Sequence, residues 1–273
     1  MKVSIVIPYF NSSKYLKIIL FSIQGYINRE DIEIIFVDDC SSFNESNSLQ
    51  FFIQSLDAIN VLYKKNEINL GASKSRKEGV LLSKGKYIAF LDSDDAWVPG
   101  KIDYQFEIME KNNLVITGCL TRFIEENDLN SDFIKSWKFS FTYKPINFFN
   151  FLFKNFFSTP SVMVLRNSIL ENNFSDKLRY AEDYECWRRV LSAHKGAVIS
   201  DLGVFSFKHS YISKEGLSSN IFKMSIYELV GLFWIFSNSS IDFKYKLILP
   251  SAITYSFFKS LRRFFLYYLS YLK

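Results

Sequence analysis

Residues 32–41 read IEIIFVDDCS, an apolar run rich in β-branched residues that ends in two carboxylates. The run Ile32–Val37 lacks the strict alternation of polar and apolar residues that marks a strand with one face in water. It is typical of a strand in a parallel sheet that helices cover on both faces. Asp38 and Asp39 then stand at the carboxyl end of that strand, where parallel sheets bind their ligands.

Further apolar runs alternate with stretches of helical spacing on both sides of this segment. The predicted strands are Val3–Ile7, Asn60–Tyr63 and Tyr87–Leu91, and the predicted helices are Ser13–Tyr26, Asn44–Leu56 and Ala72–Ser83. Strands that alternate with crossover helices build a mostly parallel, Rossmann-like sheet flanked by helices. The predicted fold class is therefore α/β.

The pattern changes beyond residue 112. Leu114–Phe123 and Ser161–Leu165 are predicted strands, and Arg179–Ala193 is a predicted helix that opens with acidic residues. No repeat, low-complexity segment or flexible linker interrupts the chain. We therefore expect one domain over residues 1–220, followed by a helical tail over residues 221–273.

The composition excludes several classes of protein. Of 273 residues, 48% are hydrophobic and 22% are charged, values that permit a substantial core and argue against disorder. Three cysteines are too few for a disulfide framework or a zinc cluster, which favours a reducing, cytoplasmic compartment. No uncharged stretch of the tail reaches the roughly 17–25 residues of a membrane span. We expect no signal peptide and no transmembrane helix.

The net charge of +5 is confined to the tail. Residues 221–273 contain seven Lys and Arg residues against Glu228 and Asp242, which gives +5 and leaves residues 1–220 neutral. The tail also holds 15 of the 49 aromatic residues. A nucleic-acid surface spread over the whole chain is disfavoured, and no nucleic-acid partner is expected.

The acidic sequence Asp92-Ser93-Asp94-Asp95 follows the fourth predicted strand. Carboxylates crowded at a strand end repel one another, and Mg²⁺ or Mn²⁺ with oxygen ligands would relieve that repulsion. Such an ion would bridge a diphosphate and stabilise the charge on it as it leaves. The alternative is a turn in which an Asp side chain caps a helix.

Two more acidic clusters have both a functional and a structural interpretation. A carboxylate of Asp38-Asp39 could accept an N–H of a pyrimidine base, or it could form an Asx-turn or helix cap. Glu182 and Asp183, at a helix start among aromatic residues, could supply a general base for a sugar hydroxyl. They could equally be ordinary first-turn acids that pair with Arg188 and Arg189.

Together these segments resemble family 2 of the glycosyltransferases, which has the GT-A fold. The resemblance covers about residues 1–210 and rests on five segments in order: VSIVIPY at 3–9, VDDCS at 37–41, NLGAS at 69–73, FLDSDD at 90–95 and Glu182-Asp183. It implies a metal-dependent, inverting transferase that uses a nucleotide-sugar donor, often a UDP-sugar. One departure is that Arg76 is followed by Lys77, where the family usually has Arg-Asn.

Residue roles follow from the resemblance by position. Pro8 and Tyr9 would lie along the nucleotide, and Asp39 would read the uracil. Asp92 would face the ribose side, and Asp94 would bind Mg²⁺ or Mn²⁺ on the diphosphate.

The acceptor side is implied in the same way. Asp183 matches the general base, with Glu182 beside it and Trp187 on the acceptor side or supporting it. The segment 158–163 looks like the acceptor-side strand. The implied reaction is a single in-line displacement: Asp183 takes a proton from the acceptor hydroxyl, which attacks the anomeric carbon.

The expected function is transfer of a sugar to a glycan or lipid-linked acceptor in cell-surface polysaccharide synthesis. One alternative is a nucleotidyltransferase of sugar phosphates, although that class usually has a Gly-rich, basic loop after the first strand, unlike Pro8-Tyr9-Phe10-Asn11. A second is a catalytically silent scaffold that binds sugar nucleotides or membrane. His194 is expected to be a solvated or capping residue. His209 is either an ordinary surface residue or a diphosphate-side residue.

The tail has the pattern of a cationic amphipathic helix over residues 252–273. Its apolar face contains Ile253, Phe257, Leu261, Phe264, Phe265, Tyr268 and Leu272, and its polar stripe contains Ser256, Lys259, Ser260, Arg263 and Ser270. Such a helix can lie in a membrane interface, with its cations among anionic head groups. We therefore expect a peripheral protein at the cytoplasmic face of the membrane. The alternative is a helix packed on the catalytic domain or on a second subunit.

Overall fold

The structure of the protein is a computed structural model. It describes residues 1–124, 139–140, 142–176, 178–207, 220–237 and 241–271. His209, for which the sequence left two interpretations, lies outside these residues.

The first half of the chain has the alternating elements that the sequence predicts. Strands β1 to β4 are Val3–Tyr9, Ile32–Asp38, Val61–Lys65 and Tyr87–Phe90. Helices α1 to α3 are Leu16–Ile23, Phe43–Ser55 and Ala72–Leu82. A single 3₁₀ turn, Ser13–Tyr15, replaces the first part of the predicted first helix. Every residue of β1 and β2 is buried, as expected for strands covered on both faces.

Between these elements and the tail, the described residues add strands β5 to β9 and helices α4 to α7. After β5 (Asp95–Trp97) and α4 (Lys101–Asn112) come β6 (Ile116–Phe123), β7 (Tyr143–Ile146), α5 (Phe148–Phe153) and β8 (Met163–Leu165). The chain continues with α6 (Arg166–Glu171), α7 (Glu182–Ala193) and β9 (Gly196–Ser206). Helix α7 is the predicted helix with acidic residues in its first turn.

These strands form one sheet in the order β3-β2-β1-β4-β8-β6-β9-β5, with β7 paired to β9. Strands β1 to β4 are parallel, whereas β8 runs antiparallel to both of its neighbours. The α/β fold class is confirmed. The sheet is mixed, because the short strands β5, β7 and β8 all pair antiparallel with longer ones.

Two large apolar clusters cover the two faces of the sheet. One contains Ile5, Ile7, Ile34 and Phe36 with residues of α1 and α4, and the other contains Val6, Ile88 and Phe90 with residues of α7. Burial on this scale stabilises the sheet at about 25 cal/mol per Å² of apolar surface. The strand ends that carry the carboxylates are therefore held by a rigid scaffold.

The tail consists of helices α8 (Ile221–Ser237) and α9 (Phe243–Tyr271), and it packs on the domain. One apolar cluster joins α5, both tail helices and a residue of the segment between them, and its buried members are Phe148, Leu152, Leu232, Ile235, Ile241, Leu249 and Ala252. From the sequence, such packing of the tail on the domain was the alternative to a helix in the membrane interface.

Part of the polar stripe of α9 packs against α8, so Lys259 is held inside the protein, whereas the Arg263 side chain remains 44% exposed. Glu228 of α8 is buried and accepts hydrogen bonds from Lys259 and, at 3.2 Å, from Arg263. Ser256 donates to the same carboxylate at 3.3 Å and Ser260 is also buried. The reason is that a buried carboxylate needs cationic partners, and α9 supplies them across the helix–helix seam.

The apolar side of α9 instead faces outward. Its exposed side chains include Phe243, Leu247, Phe257, Phe258, Leu261, Phe265 and Tyr268. Among the helices of the described residues, none combines the length and the hydropathy that crossing a membrane requires.

Candidate active site

Strands β1, β2 and β4 bring their carboxyl ends to one edge of the sheet. Tyr9 lies beside Asp38 in the parallel register, and the Asp39 N–H donates to the Tyr9 carbonyl at 2.8 Å. On the other side of β1, the Leu91 N–H donates to the Val6 carbonyl at 3.0 Å. These bonds place Asp39 and Asp92 on either side of the end of β1.

The Asp39 carboxylate holds the loop that precedes α3. It accepts hydrogen bonds from the amides of Leu70 at 2.8 Å and Gly71 at 2.6 Å, and from the Asn66 side chain at 3.0 Å. The side chain is only 3% exposed. Asp39 therefore fixes the position of the Asn69-Leu70-Gly71 loop at the predicted nucleotide site.

The first of the two acids after β2 has a structural role. Asp38 is buried and accepts hydrogen bonds from the Ser41 amide at 2.8 Å, the Ser46 hydroxyl at 2.5 Å and the Tyr63 hydroxyl at 2.9 Å. These bonds bind the start of α2 to β3. The Asx-turn interpretation thus fits Asp38.

The structure places the side chains of Pro8 and Tyr9, which were predicted to lie along the nucleotide, inside the sheet. Both residues are buried within β1, and the Tyr9 ring lies in the core. The Tyr9 hydroxyl donates to Glu45 of α2 at 3.1 Å. Burial and the negative charge of Glu45 raise its pKa, so the hydroxyl stays neutral. Side chains held this way support the strand end and do not line an open cleft.

Arg76 joins the carboxylates of two separate elements. This α3 residue donates to Asp92 at 2.6 and 3.2 Å, and its guanidinium lies 3.6 Å from Glu182 at the start of α7. The Arg76 and Glu182 side chains are 8% and 10% exposed. A guanidinium in this position compensates carboxylates that would otherwise be buried without a partner.

Asp183 lies beside this ion cluster. Its carboxylate accepts a hydrogen bond from the Thr159 hydroxyl at 3.0 Å and from the Tyr184 amide at 2.6 Å. Burial raises the pKa of Asp183, although Arg76 opposes the rise. A carboxylate with a raised pKa in a fixed position has the properties of a general base.

The pKa of Glu182 is raised as well. Burial is the largest cause, and the negative charge of Asp183 adds to it, so the pKa of Glu182 lies well above its usual range despite Arg76. The residue before the pair, Ala181, has a φ of 53°, in the left-handed region that favours glycine. Strain of this kind collects at functional sites and sets the direction in which the helix begins.

Asp94 is the acidic residue that the sequence assigns to a metal ion. It lies between Asp92, which is paired with Arg76, and Asp95, which is the buried first residue of β5. In the described part of the chain, no three His, Cys, Asp or Glu side chains are close enough to hold a metal ion. A half-exposed carboxylate fits Mg²⁺ or Mn²⁺ where the substrate's diphosphate and water supply the other ligands.

Trp187 does not face the acceptor side of the site. It is fully buried between Phe90 of β4 and Phe174, with ring centroids 5.8 and 5.6 Å away. Helix α7 turns this side chain toward the sheet, so of the two roles expected for it only support remains. His194, expected to be solvated or capping, is the residue at which α7 ends.

Sequence reasoning did not assign two residues that contact the start of α7, Arg76 and Thr159. Arg76 was noted only for the residue that follows it, and Thr159 only as part of the segment 158–163. A signal for Arg76 was present, because an arginine in the first two turns of a helix after a strand-end loop lies near the same sheet edge as the carboxylates.

Comparisons with known proteins identify the family and the fold. Residues 4–174 match the family model described as glycosyl transferase family 2. An uncharacterized glycosyltransferase of Methanocaldococcus jannaschii is 29% identical over 234 residues, which are 84% of this chain and 78% of that protein. WfgD of Escherichia coli, a UDP-Glc:α-D-GlcNAc-diphosphoundecaprenol β-1,3-glucosyltransferase, is 29% identical over 81% of both chains.

Solved structures share the fold at low sequence identity. Residues 1–349 of Staphylococcus aureus TarS, in complex with UDP-GlcNAc, superpose with a TM-score of 0.69 at 17% identity, covering 95% of this chain and 73% of that one. The Pyrobaculum calidifontis mannosyltransferase PcManGT, with GDP-Man and Mn²⁺, gives 0.62 at 12% identity, covering 96% and 74%. With the family model spanning more than half of its length, this chain belongs to glycosyltransferase family 2 and has the GT-A fold.

Proposed function

We propose that the protein is an inverting glycosyltransferase that moves a sugar from a UDP-sugar to a hydroxyl of a lipid-linked glycan in cell-surface polysaccharide synthesis. The observation that carries this proposal is the Arg76 cluster, in which one guanidinium connects Asp92 at a donor-side strand end with Glu182 beside Asp183. A donor held beside Asp92 and an acceptor held beside Asp183 would meet across this cluster.

Asp183 is the proposed general base. It takes the proton of the acceptor hydroxyl at a carboxylate oxygen while that hydroxyl oxygen forms a bond to the anomeric carbon. The bond from that carbon to the diphosphate oxygen breaks on the opposite face, so the configuration inverts. The Thr159 hydroxyl, 3.0 Å from Asp183, orients the carboxylate for this step.

The donor site proposed for the nucleotide contains Asp39, Asp92 and Asp94, with Pro8 and Tyr9 supporting it from β1. Asp94 would hold Mg²⁺ or Mn²⁺, which when bound supplies positive charge to the diphosphate. Two similarities support a sugar nucleotide: WfgD uses UDP-Glc, and the TarS fold was solved with UDP-GlcNAc.

A direct test measures release of nucleoside diphosphate from a panel of UDP-sugars, with Mg²⁺, with Mn²⁺ and with a chelator. We expect release with at least one UDP-sugar, and loss of release in the chelator. Asp183→Asn should abolish transfer yet retain binding of UDP with the metal, because the base is not a donor ligand. Asp176→Asn is the matched control, since Asp176 is an exposed carboxylate paired with Lys77. Undiminished turnover by Asp183→Asn would remove the proposed base.

We further propose that the outward apolar side of α9 rests on the cytoplasmic face of the membrane. Phe258 and Phe265 are both 63% exposed, and exposed aromatic side chains on a helix favour the boundary between head groups and acyl chains. The surplus of positive charge in the tail favours anionic lipid.

Liposome flotation tests this membrane proposal. Phe265→Ser should weaken binding to vesicles of anionic lipid about tenfold, since burying a Phe side chain contributes about 1.5–3 kcal/mol. Phe51→Ser is the control, because Phe51 is 71% exposed but lies on α2. Equal flotation of the two variants and the unaltered protein would reject α9 as the contact.

A further inference from the structure

Helix α8 connects the catalytic end of α7 with the outward apolar surface of the tail. A Cβ added at Gly231 of α8 would lie within 3.5 Å of Glu185 and Arg188, both on α7. One turn earlier, the Tyr227 ring lies 5.5 Å from the ring of Tyr180, centroid to centroid. Tyr180 directly precedes Ala181, the left-handed residue at which α7 begins. The amino ends of α7 and α8 are therefore neighbours.

Lys223 lies at the exposed end of this contact. Its ammonium group is 5.8 Å from the centre of the Tyr180 ring, and its side chain is exposed. Lys223, Tyr227 and Gly231 are spaced four residues apart, so they form one row along the helix. Along this row, Lys223 is exposed at the surface, Tyr227 packs on the Tyr180 ring, and Gly231 packs against α7.

The neighbouring row of α8 is apolar and exposed. Its residues each stand one position before a residue of the first row. They are Phe222, Ile226 and Val230, with exposed fractions of 62%, 41% and 45%. A lipid chain along this second row would therefore bring its polar head group to Lys223, at the end of α8 nearest to the start of α7. The two rows together match a molecule with a hydrocarbon chain, an anionic group and a sugar, in that order.

We propose that Lys223, with the Tyr180–Tyr227 pair, binds the diphosphate of a lipid-linked saccharide acceptor, whose hydrocarbon chain lies along Phe222, Ile226 and Val230. This inference rests on the proposed function. The ammonium group supplies the charge that a diphosphate requires. The tyrosine rings contact the first sugar, which extends from the diphosphate toward Asp183.

Two probes that differ only in the diphosphate test the inference. One is GlcNAc joined through a diphosphate to an undecyl chain, and the other is the undecyl glycoside of GlcNAc. Binding is measured by calorimetry, and transfer by UDP release with the preferred UDP-sugar. Lys223→Ala should weaken binding of the diphosphate probe, and raise its KM, about tenfold, because a hydrogen bond to a charged group is lost. Both values for the glycoside should stay unchanged.

Two variants serve as controls. Lys223→Arg should restore most of the binding, because it keeps the charge. Lys244→Ala removes one charge from the tail at a lysine paired with Asp242 at 2.9 Å, and it should leave both probes unaffected.

The inference is overturned if the unaltered protein binds the diphosphate probe no better than the glycoside. It is also overturned if Lys223→Ala changes both probes equally, or if Lys244→Ala has the same effect. Failure of every UDP-sugar to turn over would count against the proposed function, while the calorimetric comparison of the two probes would still decide this subsite.

Discussion

Replacing Arg76 by Met should destabilise the protein by an amount that depends on pH. The guanidinium is 3.6 Å from Glu182 and 2.6 Å from Asp92. At an effective dielectric constant of about 20, a charge pair at the longer distance contributes about 5 kcal/mol. Removing one partner of a buried ion pair typically costs about 3–5 kcal/mol, because the remaining charge has no compensation. We expect a loss of this size at pH 8.

The pH dependence follows from the direction of the pKa shifts. Burial raises the pKa of Glu182 and of Asp183 in the folded protein, so the folded state binds more protons than the unfolded state. This extra proton binding stabilises the folded state. Its contribution to the free energy of unfolding is complete at a pH below the pKa values of the unfolded chain. It is lost as the pH rises through the pKa values of the folded protein. Without Arg76 both folded pKa values rise further. The destabilisation should therefore shrink at pH 5, by about 2 kcal/mol, equivalent to about 1.5 pKa units.

Urea unfolding of both proteins at pH 5 and pH 8 measures this effect. With a slope of about 3 kcal/mol per M, the midpoint of Arg76→Met should fall by about 1 M or more at pH 8. Arg29→Met is the control, because Arg29 is a surface residue that holds the pKa of Asp31 at about 2 by hydrogen bonding. Its cost should be below about 1 kcal/mol and equal at both pH values. A pH-independent loss in Arg76→Met would refute the argument that the carboxylates of α7 depend on this guanidinium.

Three further substitutions test other features of the fold. Cys40→Gly should raise the melting temperature by about 2–4 °C in calorimetry, because Cys40 has a φ of 63°, which costs a non-glycine residue about 1 kcal/mol. Trp187→Ala should lower the free energy of unfolding in urea by about 3–5 kcal/mol, because it leaves a cavity in the core. Glu228→Gln should speed tryptic cleavage of the tail, because Lys259 and Arg263 lose their shared carboxylate, at a cost of about 3 kcal/mol.

Each of these has an outcome that contradicts it. A lower melting temperature in Cys40→Gly would mean that the Cys40 side chain contributes more than the strain it causes. An unfolding free energy unchanged by Trp187→Ala would place that ring outside the core. Tail cleavage at the original rate in Glu228→Gln would show that the apolar contacts hold α8 and α9 together without the ion cluster.

The first half of the fold could be predicted from the sequence because its strands are buried on both faces. Such strands appear as apolar runs with distinct ends, and the acids that follow them then share one edge of the sheet. The short strands were harder to predict. Asp95–Trp97 forms β5 only by pairing with β9, more than a hundred residues away in the chain, so no local pattern marks it.

The candidate site could also be predicted only in part. Asp39, Asp92 and Asp183 follow from strand ends and a helix start, and the structure places Asp39 against the Leu70–Gly71 amides and Asp92 against Arg76. Arg76 was not assigned, because its partners are Asp92, which follows β4, and Glu182 of α7, and no pattern in the sequence around Arg76 identifies either of them. The contact between α9 and Glu228 could not be predicted for a related reason. Periodicity separates a polar face from an apolar face, but the buried Glu228 on another helix decides which of them turns inward.

The hydrogen bonds of Asp39 have a consequence for how a nucleotide would be distinguished. Three N–H groups of the described residues hold this carboxylate, which leaves one lone-pair direction on Oδ2 for a base. The side chain has therefore lost its rotational freedom on folding, and binding a base costs no further ordering there. A base that presents a lone pair in place of an N–H would meet a carboxylate that cannot turn away. In the proposed site, selectivity would thus come from the hydrogen bonds that already fix the Asp39 side chain.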